Sequence, residues 1–565
     1  MYQLLLISHY LRRRMIPLFA ALAVTLCTAM VIIVMSVMGG FLDLMRGSAH
    51  KLTGDVVIGN VEINRPTGGF AHYRELTEEL GKDPAVARAT PVIECLAMLN
   101  MPGKSGFYQV VGVEGGSIGD VLKFEPMWKS EDIANQMGDP ESRALWSSFD
   151  LQKAGKSLSL PASLIGDRTP GKTIPAAMLG VEVNPRHYRD EHGQYSPSNA
   201  YVGGTIELTL VPLGDRGQSG AYEPKKRALP VVNELKSGFY EYDKSRIYVP
   251  FDWLQQQLEM SERETAAEFD PVTGQGGAPK IKPARCTQVL IAGRPGVPLD
   301  EVRMAAERAV QRICDRHPDC NLDAYADVTP WDRIPFIRGL LNAVKSEKGM
   351  MTFLFAVIGM VAVMMVGITF YMIVLEKTRD IGILRSIGAS QYGILSLFVR
   401  YGLVIGVIGS ALGVGLAYFV VTHLNNLEHL LGYNVVTGIL CNALLAATVV
   451  AATVAAFLSG RREGAGFERG LAAFLVTLLA GSAILFFGFT DIGAHRPEWL
   501  MRLDERYACP IWDPRYYYFD KVPDTVNWLE ARWVAVFAVV ASVMGALVPA
   551  VLAASKNPVE AMRHE

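Results

Sequence analysis

One segment of the sequence has residue types and spacing that suit phosphate chemistry. Residues 166–173 read Gly-Asp-Arg-Thr-Pro-Gly-Lys-Thr and match the pattern of a nucleotide-binding phosphate loop. Such a loop needs a strand before it and a helix directly after it, with its backbone amides around the phosphates. Pro175 and Gly180 follow too closely for a helix of useful length. We therefore expect a turn that leads into a strand, and no nucleotide site.

Histidine and cysteine residues offer little more for catalysis or metal binding. His187 and His192 lie among charged residues, without the spacing typical of metal ligands, so a surface loop is the expectation there. Cys314 and Cys320 flank a short polar stretch, and a disulfide between them stays open. The sequence has no Cys-x-x-Cys pair, which argues against a zinc or redox site of that type. The residue chemistry thus predicts a non-catalytic chain.

The distribution of charge indicates a membrane protein. The chain has 565 residues, of which 50% are hydrophobic and 19% are charged, against about 25% charged in soluble proteins. Several windows without any charge are long enough for helices that cross a bilayer, which takes about 20 residues. A soluble enzyme and a disordered chain are therefore excluded, and the net charge of −2 gives no case for nucleic acid.

These windows predict an α-helical transmembrane bundle of about six spans, with a large extracytoplasmic α/β plus β-rich domain between spans one and two. The predicted order is a cytoplasmic segment 1–14, span 15–42, extracytoplasmic domain 43–349, span 350–375, cytoplasmic segment 376–390, span 391–425, membrane hairpin 438–489, extracytoplasmic loop 490–532, span 533–554 and cytoplasmic tail 555–565. The first apolar run is longer than that of a signal peptide, so we expect a retained anchor. Lys and Arg flank the spans on one side, at Arg12–Arg14, Arg385 and Arg461 for example, which places both termini in the cytoplasm.

The outer domain shows strand–helix–strand patterns at both ends. Helices are predicted over Tyr73–Gly81 and Leu299–Arg316, the second with Val302, Ala306, Val310 and Ile313 on one face. Strands are predicted at Asp55–Ile63, Ala89–Asn100, Gly106–Val113, Thr287–Ala292 and Leu322–Val328. We expect these ends to form one α/β subdomain and residues 155–255 to form a second, strand-rich one. Residues 261–284 are predicted to be an exposed loop.

The segment 376–390 connects two predicted spans on the cytoplasmic side. Ile381, Leu384 and Ile387 recur every three residues and predict one apolar face of a short helix. Gly388 suits a left-handed helix end, and Ser390 suits the cap of the next helix. Taken alone, the segment reads as an interfacial turn between two membrane helices.

The same segment, Glu-Lys-Thr-Arg-Asp-Ile-Gly-Ile-Leu-Arg-Ser-Ile-Gly-Ala-Ser, resembles the signature of FtsX/MacB-type ABC transporter permeases. The C-terminal Asn557–Arg563 agrees with that family. Val232–Asp243, followed by Arg246–Val249, resembles the LolC/LolE branch of lipoprotein-releasing permeases, as does Met38–Phe41 after the first span. The family core has four spans, so 438–489 is read as an inserted hairpin.

The resemblance implies roles for two groups of residues. In this family the short cytoplasmic helix docks on a separate ATPase, which assigns coupling to Glu376, Lys377, Arg379, Asp380, Gly382, Leu384, Arg385 and Gly388. A hairpin near residues 212–230 would dock a periplasmic carrier, through Arg216, Tyr222, Lys225, Lys226 and Arg227. The alternative for this second group is an ordinary basic loop.

The resemblance also implies a function. We expect a non-catalytic permease subunit in the bacterial inner membrane that couples ATP hydrolysis by its partner to the release of lipoproteins. The expected partners are separate ATPase subunits that carry ATP and magnesium, a second permease copy or paralogue, membrane lipids and a lipoprotein carrier, with no cofactor in this chain. The alternatives are a MacB-like efflux mechanotransmitter and an FtsX-like regulator of a cell-wall hydrolase. The cluster Tyr516–Tyr518 is expected to rest at the bilayer surface.

Overall fold

A computed structural model describes most of the chain. The described residues are 16–59, 68–123, 125–165, 171–190, 193–212, 223–265, 280–317, 327–376, 378–425 and 521–555, with single positions at 499, 502, 503, 506 and 518. They belong to two compact units. The outer unit contains Phe41–Glu347 and Pro514–Asp520, and the membrane unit contains the rest. The predicted hairpin 438–489 and the C-terminal Asn557–Arg563 lie outside the described residues.

The helices divide between long apolar ones and short amphipathic ones. Their bounds are α1 Ile16–Thr53, α2 Tyr73–Gly81, α3 Ser130–Ala134, α4 Pro140–Ser147, α5 Leu151–Ser157, α6 Tyr240–Ser245, α7 Phe251–Gln257, α8 Leu299–Arg316, α9 Pro335–Glu376, α10 Thr378–Ser386, α11 Gln391–Thr422 and α12 Trp528–Ser555. Within the described part of the chain, α1, α9, α11 and α12 are long and apolar enough to cross a membrane, with mean hydropathy of 2.2 to 2.5. The protein is therefore a polytopic membrane protein.

Two of the membrane helices are longer than a bilayer requires. α1 has 38 residues and α9 has 42, which corresponds to roughly 57 and 63 Å at 1.5 Å per residue. The apolar core of a bilayer is about 30 Å thick. α9 starts at Pro335, fifteen residues before the predicted span, because the added turns are amphipathic, with Ile337, Leu341 and Val344 buried at helical spacing. Pro335 suits this start because it occupies the first turn, where no helical donor is needed.

A nine-stranded sheet forms the centre of the outer unit. The strands are β1 Val56–Gly59, β2 Phe70–Ala71, β3 Val86–Met101, β4 Lys104–Val113, β5 Ser159–Pro161, β6 Thr173–Pro175, β7 Ala177–Gly180, β8 Thr205–Leu210, β9 Lys225–Leu235, β10 Arg246–Pro250, β11 Arg263–Thr265, β12 Lys280–Lys282, β13 Arg285–Cys286, β14 Gln288–Gly293 and β15 Val328–Pro330. The order in the sheet is β15-β1-β14-β3-β4-β10-β7-β9-β8. β4 pairs with β10, and β7 with β9, in parallel; the other neighbours are antiparallel.

The long strand β3 joins what the sequence suggested were two subdomains. Its first half pairs with β14, and its end, at Met98–Asn100, pairs with β8. Strands β3, β4, β10, β7, β9 and β8 therefore close into a ring. One buried apolar cluster runs through both parts, from Val56 to Leu229 and Ile313. The expectation of a separate core for residues 155–255 is thus wrong, because sixteen residues of strand are long enough to serve both halves.

The paired helices α2 and α8 cover the end of the sheet that is built from the two ends of the domain. Val302, Ala306, Val310 and Ile313 are buried on α8, as the spacing predicted, and Leu76 and Leu80 are buried on α2. Arg308 forms an ion pair with Asp83 just beyond α2, at 3.1 Å, and Arg312 forms one with Glu79, also at 3.1 Å. Apolar burial thus holds these helices on the sheet, while charges align them with each other.

Candidate coupling site, signature network and membrane core

The helix α10 lies between two membrane helices and uses one face to pack on them. Ile381 is only 6% exposed and belongs to a buried cluster with Phe370, Ile394 and Phe398. Ile383 is 43% exposed and Ile387 is 79% exposed. Ile381 and Ile387 therefore do not share one buried face, because Ile387 lies past the last helical turn. α10 is anchored by Ile381 and presents apolar side chains away from the bundle.

The end of α10 has the geometry that the sequence predicted. Gly388 has φ of 104°, in the left-handed region where a glycine is favoured. The Ser390 hydroxyl then accepts a hydrogen bond from the Gly393 amide at 3.1 Å and caps α11. These two residues fix the direction in which the chain enters the next membrane helix.

The predicted coupling residues are only partly described. Glu376 is exposed at the end of α9, Gly382 is buried within α10, and Gly388 follows it. Lys377 lies outside the described residues, as do the side chains of Arg379, Asp380, Leu384 and Arg385. The coupling role of all eight residues stays a prediction.

Glu234 organises a buried network in the segment that resembles lipoprotein-releasing permeases. Its carboxylate accepts hydrogen bonds from the Trp128 indole at 2.6 Å, the Asn184 amide at 2.8 Å and the Tyr201 backbone amide at 3.1 Å. The His187 Nε2 lies 2.7 Å from the same carboxylate, and both side chains are fully buried. The expectation of a surface loop is therefore wrong for His187, because its partners come from distant parts of the chain. His192 lies outside the described residues.

Asp243, nine residues after Glu234, is a second buried acid in the same segment. Its Oδ2 accepts hydrogen bonds from the Ser237 amide at 2.8 Å, from the Gly238 amide at 3.3 Å and from the Tyr518 hydroxyl. Burial raises the pKa of Asp243 to about 6, although these hydrogen bonds act in the opposite direction. Gly238 has φ of 84°, in the left-handed region where a glycine is favoured.

Tyr518 packs within the outer unit. Its ring lies 5.3 Å from that of Tyr240, and the Arg189 guanidinium lies 5.0 Å from its centroid. Burial and the Asp243 carboxylate raise the pKa of the phenol. The acid, the cation and the ring of Tyr240 thus surround this side chain, and its place at a bilayer surface stays a prediction. Tyr516 and Tyr517 lie outside the described residues.

Arg246 links this segment to the sheet. It donates to Glu94 at 2.9 Å and to Gln109 at 3.0 Å, and its guanidinium stacks 3.7 Å from the centre of the Tyr242 ring. Gln288 also donates to Glu94, at 2.9 Å. The ion pair is largely buried, so Arg246 and Glu94 compensate each other's charge in a region of low dielectric. These contacts hold β10 against β4.

The predicted carrier-docking group does not form one loop. Lys225, Lys226 and Arg227 begin the strand β9. Lys225 pairs with Glu259 at 2.8 Å, Lys226 with Glu207 at 3.8 Å, and Arg227 donates to Gln257 at 2.8 Å. Arg216 and Tyr222 lie outside the described residues. Three of the five side chains are therefore engaged within the outer unit.

The phosphate-loop pattern leads into a strand. Residues 166–170 lie outside the described part, and Thr173 begins β6, which pairs with β5 in a short antiparallel hairpin. The helix that phosphate binding requires is replaced by this strand, as Pro175 predicted.

Small residues on α11 allow close helix packing that was not predicted from the sequence. A Cβ atom at Gly402 would lie 2.6 Å from Ala546 Cβ on α12, and one at Gly406 would lie 2.9 Å from Ser542 Cβ. Gly409 and Gly413 approach Val24 and Thr28 of α1 in the same way. Gly402 and Gly406 are four residues apart, as are Gly409 and Gly413, and small residues at this spacing are typical of helix interfaces in membranes.

An apolar cavity of about 420 Å³ lies between α1, α9 and α12 in the membrane unit. Its walls include Cys27, Val31, Phe355, Val363 and Trp533. This volume falls in the range of about 300 to 1,000 Å³ that is common for ligand pockets. A cavity with such walls suits hydrocarbon.

Comparisons with known proteins agree with this membrane architecture. Residues 352–463 match the model of the FtsX-like permease C-terminal family. The uncharacterized ABC transporter permease YknZ of Bacillus subtilis is 25% identical over 193 residues, 33% of this chain and 40% of that protein. The uncharacterized ABC transporter permease MJ1507 of Methanocaldococcus jannaschii is 30% identical over 127 residues, 21% of this chain and 31% of that protein. The chain thus spans less than half the length of these relatives.

Two solved extracellular regions were also found. The extracellular domain of the noncanonic ABC-type transporter YknZ from Gram-positive bacteria covers 49% of this chain and 98% of its own, at 11% identity and a TM-score of 0.23. The periplasmic region of MacB from Actinobacillus actinomycetemcomitans covers 50% and 92%, at 10% identity and a TM-score of 0.22. The chain is therefore a membrane protein whose residues 352–463, which include α10, are similar to the C-terminal region of FtsX-like permeases.

Proposed function

We propose that this chain is the permease subunit of an FtsX/MacB-type ABC transporter, and that the transporter extracts lipoproteins from the inner membrane. In this proposal a separate ATPase, which holds ATP and magnesium, docks on α10 from the cytoplasmic side, where both termini of this chain also lie. The observation that carries the proposal is the contrast on α10 between the buried Ile381 and the exposed Ile383, with the exposed Ile387 in the turn directly after the helix. A short helix anchored on one face and apolar on the other suits a partner protein.

The long helices α1 and α9 suit the transmission of force. A helix that just spans the bilayer ends at its surface, whereas 38 and 42 residues leave several turns beyond it. A rigid helix carries a displacement along its axis without a hinge. Closure of the ATPase would therefore move α10, and α9 would carry that motion into the residues of the outer unit. A second permease copy or paralogue would complete a dimer with two ATPase subunits.

Lipid-anchored cargo fits the energetics and the membrane cavity. Burying a methylene group is worth about 0.8 kcal/mol, so three chains of about 15 carbons would cost roughly 36 kcal/mol to expose to water. Such cargo needs a sheltered apolar route and a carrier at its end. The cavity of about 420 Å³ between α1, α9 and α12 supports this cargo over a soluble one.

Docking of the ATPase can be tested with charge substitutions on α10. Ile383→Glu and Ile387→Glu place a charge on the exposed apolar face, and we expect each to weaken ATPase binding by about tenfold or more, since a buried unpaired charge is costly. Ile281→Glu is the matched control, because Ile281 is 62% exposed in the outer unit. Binding of the purified ATPase to the full chain in nanodiscs is the measurement. Unchanged binding for both α10 variants would overturn the docking assignment.

Coupling and cargo need a second measurement. Lys377→Glu and Arg385→Glu are expected to leave ATP hydrolysis in the complex but to abolish ATP-dependent release of a lipoprotein from reconstituted vesicles.

Deleting residues 213–222, which spares β9, is expected to remove binding of the carrier but not of the ATPase. A complex that hydrolyses ATP and releases no lipoprotein, even with the carrier present, would reject this cargo and leave the efflux or regulatory alternatives.

A further inference from the structure

Two histidines and a glutamate converge where α2 begins and α8 ends. His72 precedes the first residue of α2, Glu75 lies in the first turn of that helix, and His317 follows the last residue of α8. The two helices are antiparallel neighbours, so residues from the chain entering the outer unit and from the chain leaving it meet at one point. Within the described ranges, this is the only group of three His, Cys, Asp or Glu side chains whose ligand atoms approach one another closely enough to hold a metal ion.

The geometry of the three side chains suits one small ion. One ligand atom from each residue lies within 4.8 Å of the other two. The His317 Nε2 is 3.0 Å from Glu75 Oε2, and the rings of His72 and His317 stack with centroids 3.9 Å apart and planes 9° apart. Tetrahedral zinc, with bonds of about 2.0 to 2.1 Å, holds its ligand atoms about 3.4 Å apart. An imidazole binds a metal in its ring plane, so one of the two stacked rings must turn about its Cβ–Cγ bond before both can bind the same ion.

The backbone at His72 brings its ring into this position. His72 has φ of 60° and ψ of 22°, a left-handed conformation that is uncommon for residues other than glycine. Although it occupies the capping position of α2, its side chain makes no capping hydrogen bond to that helix. The conformation instead directs the ring to His317, which comes from a helix more than 200 residues later.

The basic side chains near this site form their ion pairs with Glu79 and not with Glu75. The basic side chains nearby are directed to Glu79, one turn further along α2: Arg312 at 3.1 Å, Lys82 at 3.0 Å and Arg316 at 3.9 Å. Glu75 Oε2 instead lies 3.0 Å from His317 Nε2. One carboxylate with two imidazoles is a donor set that suits divalent zinc better than magnesium or calcium, whose ligands are oxygen atoms.

We propose that His72, Glu75 and His317 form a zinc-binding site on the outer unit, with water as the fourth ligand. The ion would join α2 to α8 and so tie the first strand–helix unit of the domain to the last one. The role is independent of the coupling of α10 to an ATPase, because every ligand belongs to the outer unit.

Metal binding to the full chain tests this site. The purified protein, freed of any affinity tag and stripped with a chelator, is dialysed against zinc, and bound metal is counted by mass spectrometry and titration calorimetry. We expect one zinc ion per chain that is lost in Glu75→Gln and His317→Gln, with affinity lower by more than about 100-fold, since even changes around a ligand cost 10- to 100-fold. Cobalt in place of zinc should give the visible absorption of a tetrahedral site, and zinc should raise the melting temperature of the wild type only.

Controls separate loss of a ligand from loss of the fold. Glu78→Gln removes an exposed carboxylate from the same helix and should bind zinc as the wild type does. His72→Asn retains a residue type that tolerates the left-handed conformation, and it should fold normally while losing the ion. A wild-type chain that takes up no zinc, or ligand variants that bind it as well as Glu78→Gln does, would overturn the proposal.

Discussion

Asp243 links the stability of the outer unit to pH. Its pKa is raised to about 6 from an ordinary value of 3.8, chiefly by burial. The folded protein therefore holds this proton more tightly than the unfolded chain. The contribution of Asp243 to stability is most favourable below about pH 4 and is lost as the pH rises through 6, by on the order of 3 kcal/mol. Asp243→Asn, which cannot ionise, should gain stability relative to the wild type over this interval.

Thermal unfolding of the purified chain at pH 4.5 and pH 7.5 measures this effect. The comparison of interest is the difference between variant and wild type, because other carboxylates such as Glu79 and Asp83 have lowered pKa values and give the opposite slope. Asp332→Asn, at an exposed position, is the control and should follow the wild type at both pH values. A constant difference between Asp243→Asn and the wild type across this range would contradict the raised pKa.

At the scale of single residues, the sequence predicts the residues whose role depends only on their near neighbours in the chain. Gly388 and Ser390 follow from the rules of helix ends, which involve a few neighbouring residues. His187 was misjudged because its partner Glu234 is 47 residues away and the charged neighbours suggested solvent. Tyr518 contacts Asp243 across 275 residues of chain. No local pattern encodes such pairs, since burial decides them and burial depends on the complete fold.

The helix α11 makes a prediction at the scale of elements. A Cβ atom at Gly413 would lie 2.7 Å from Thr28 Cβ and 2.8 Å from Thr25 O on α1, whereas one at Gly415 would meet no atom within 4 Å. Gly413→Ala should therefore force α1 and α11 apart and destabilise the bundle by about 1 to 3 kcal/mol. Gly415→Ala is the matched control, which should be neutral or slightly stabilising because alanine favours a helix. Melting temperatures in detergent compare the two, and equal effects would refute the close approach.

Elements with a strong internal pattern were predicted well, and their partners were not. The bounds of α2 and α8 agree with the sequence because an apolar stripe at helical spacing marks both helices. The strands β3 and β4 were also predicted, at Ala89–Asn100 and Gly106–Val113, and both extend beyond these bounds at their starts. What the sequence missed is that β3 continues past β14 to pair with β8, which makes one ring of two expected subdomains. Strand pairing over more than 100 residues leaves no periodic signal.

At the scale of the whole molecule, the proposed function requires that α9 be continuous. The helix runs from Pro335 to Glu376 without an internal proline, through the exposed residue Ser346. Ser346→Pro removes a helical hydrogen bond and kinks the helix, at a cost of about 3 kcal/mol in a helix interior. Ser346→Ala keeps the helix straight and is the control. Because position 346 is exposed, neither change disturbs a buried side chain.

The expected result separates docking from transmission. Ser346→Pro should bind the ATPase and support hydrolysis in the reconstituted complex as the wild type does, since α10 begins more than 30 residues later along the chain. It should nevertheless release much less lipoprotein per ATP hydrolysed, because the kink absorbs the displacement that a straight helix would carry. Ser346→Ala should release the normal amount. If Ser346→Pro keeps the wild-type ratio of release to hydrolysis, α9 does not transmit the motion as a rigid element, and the motion must reach the outer unit along α1 or by another route.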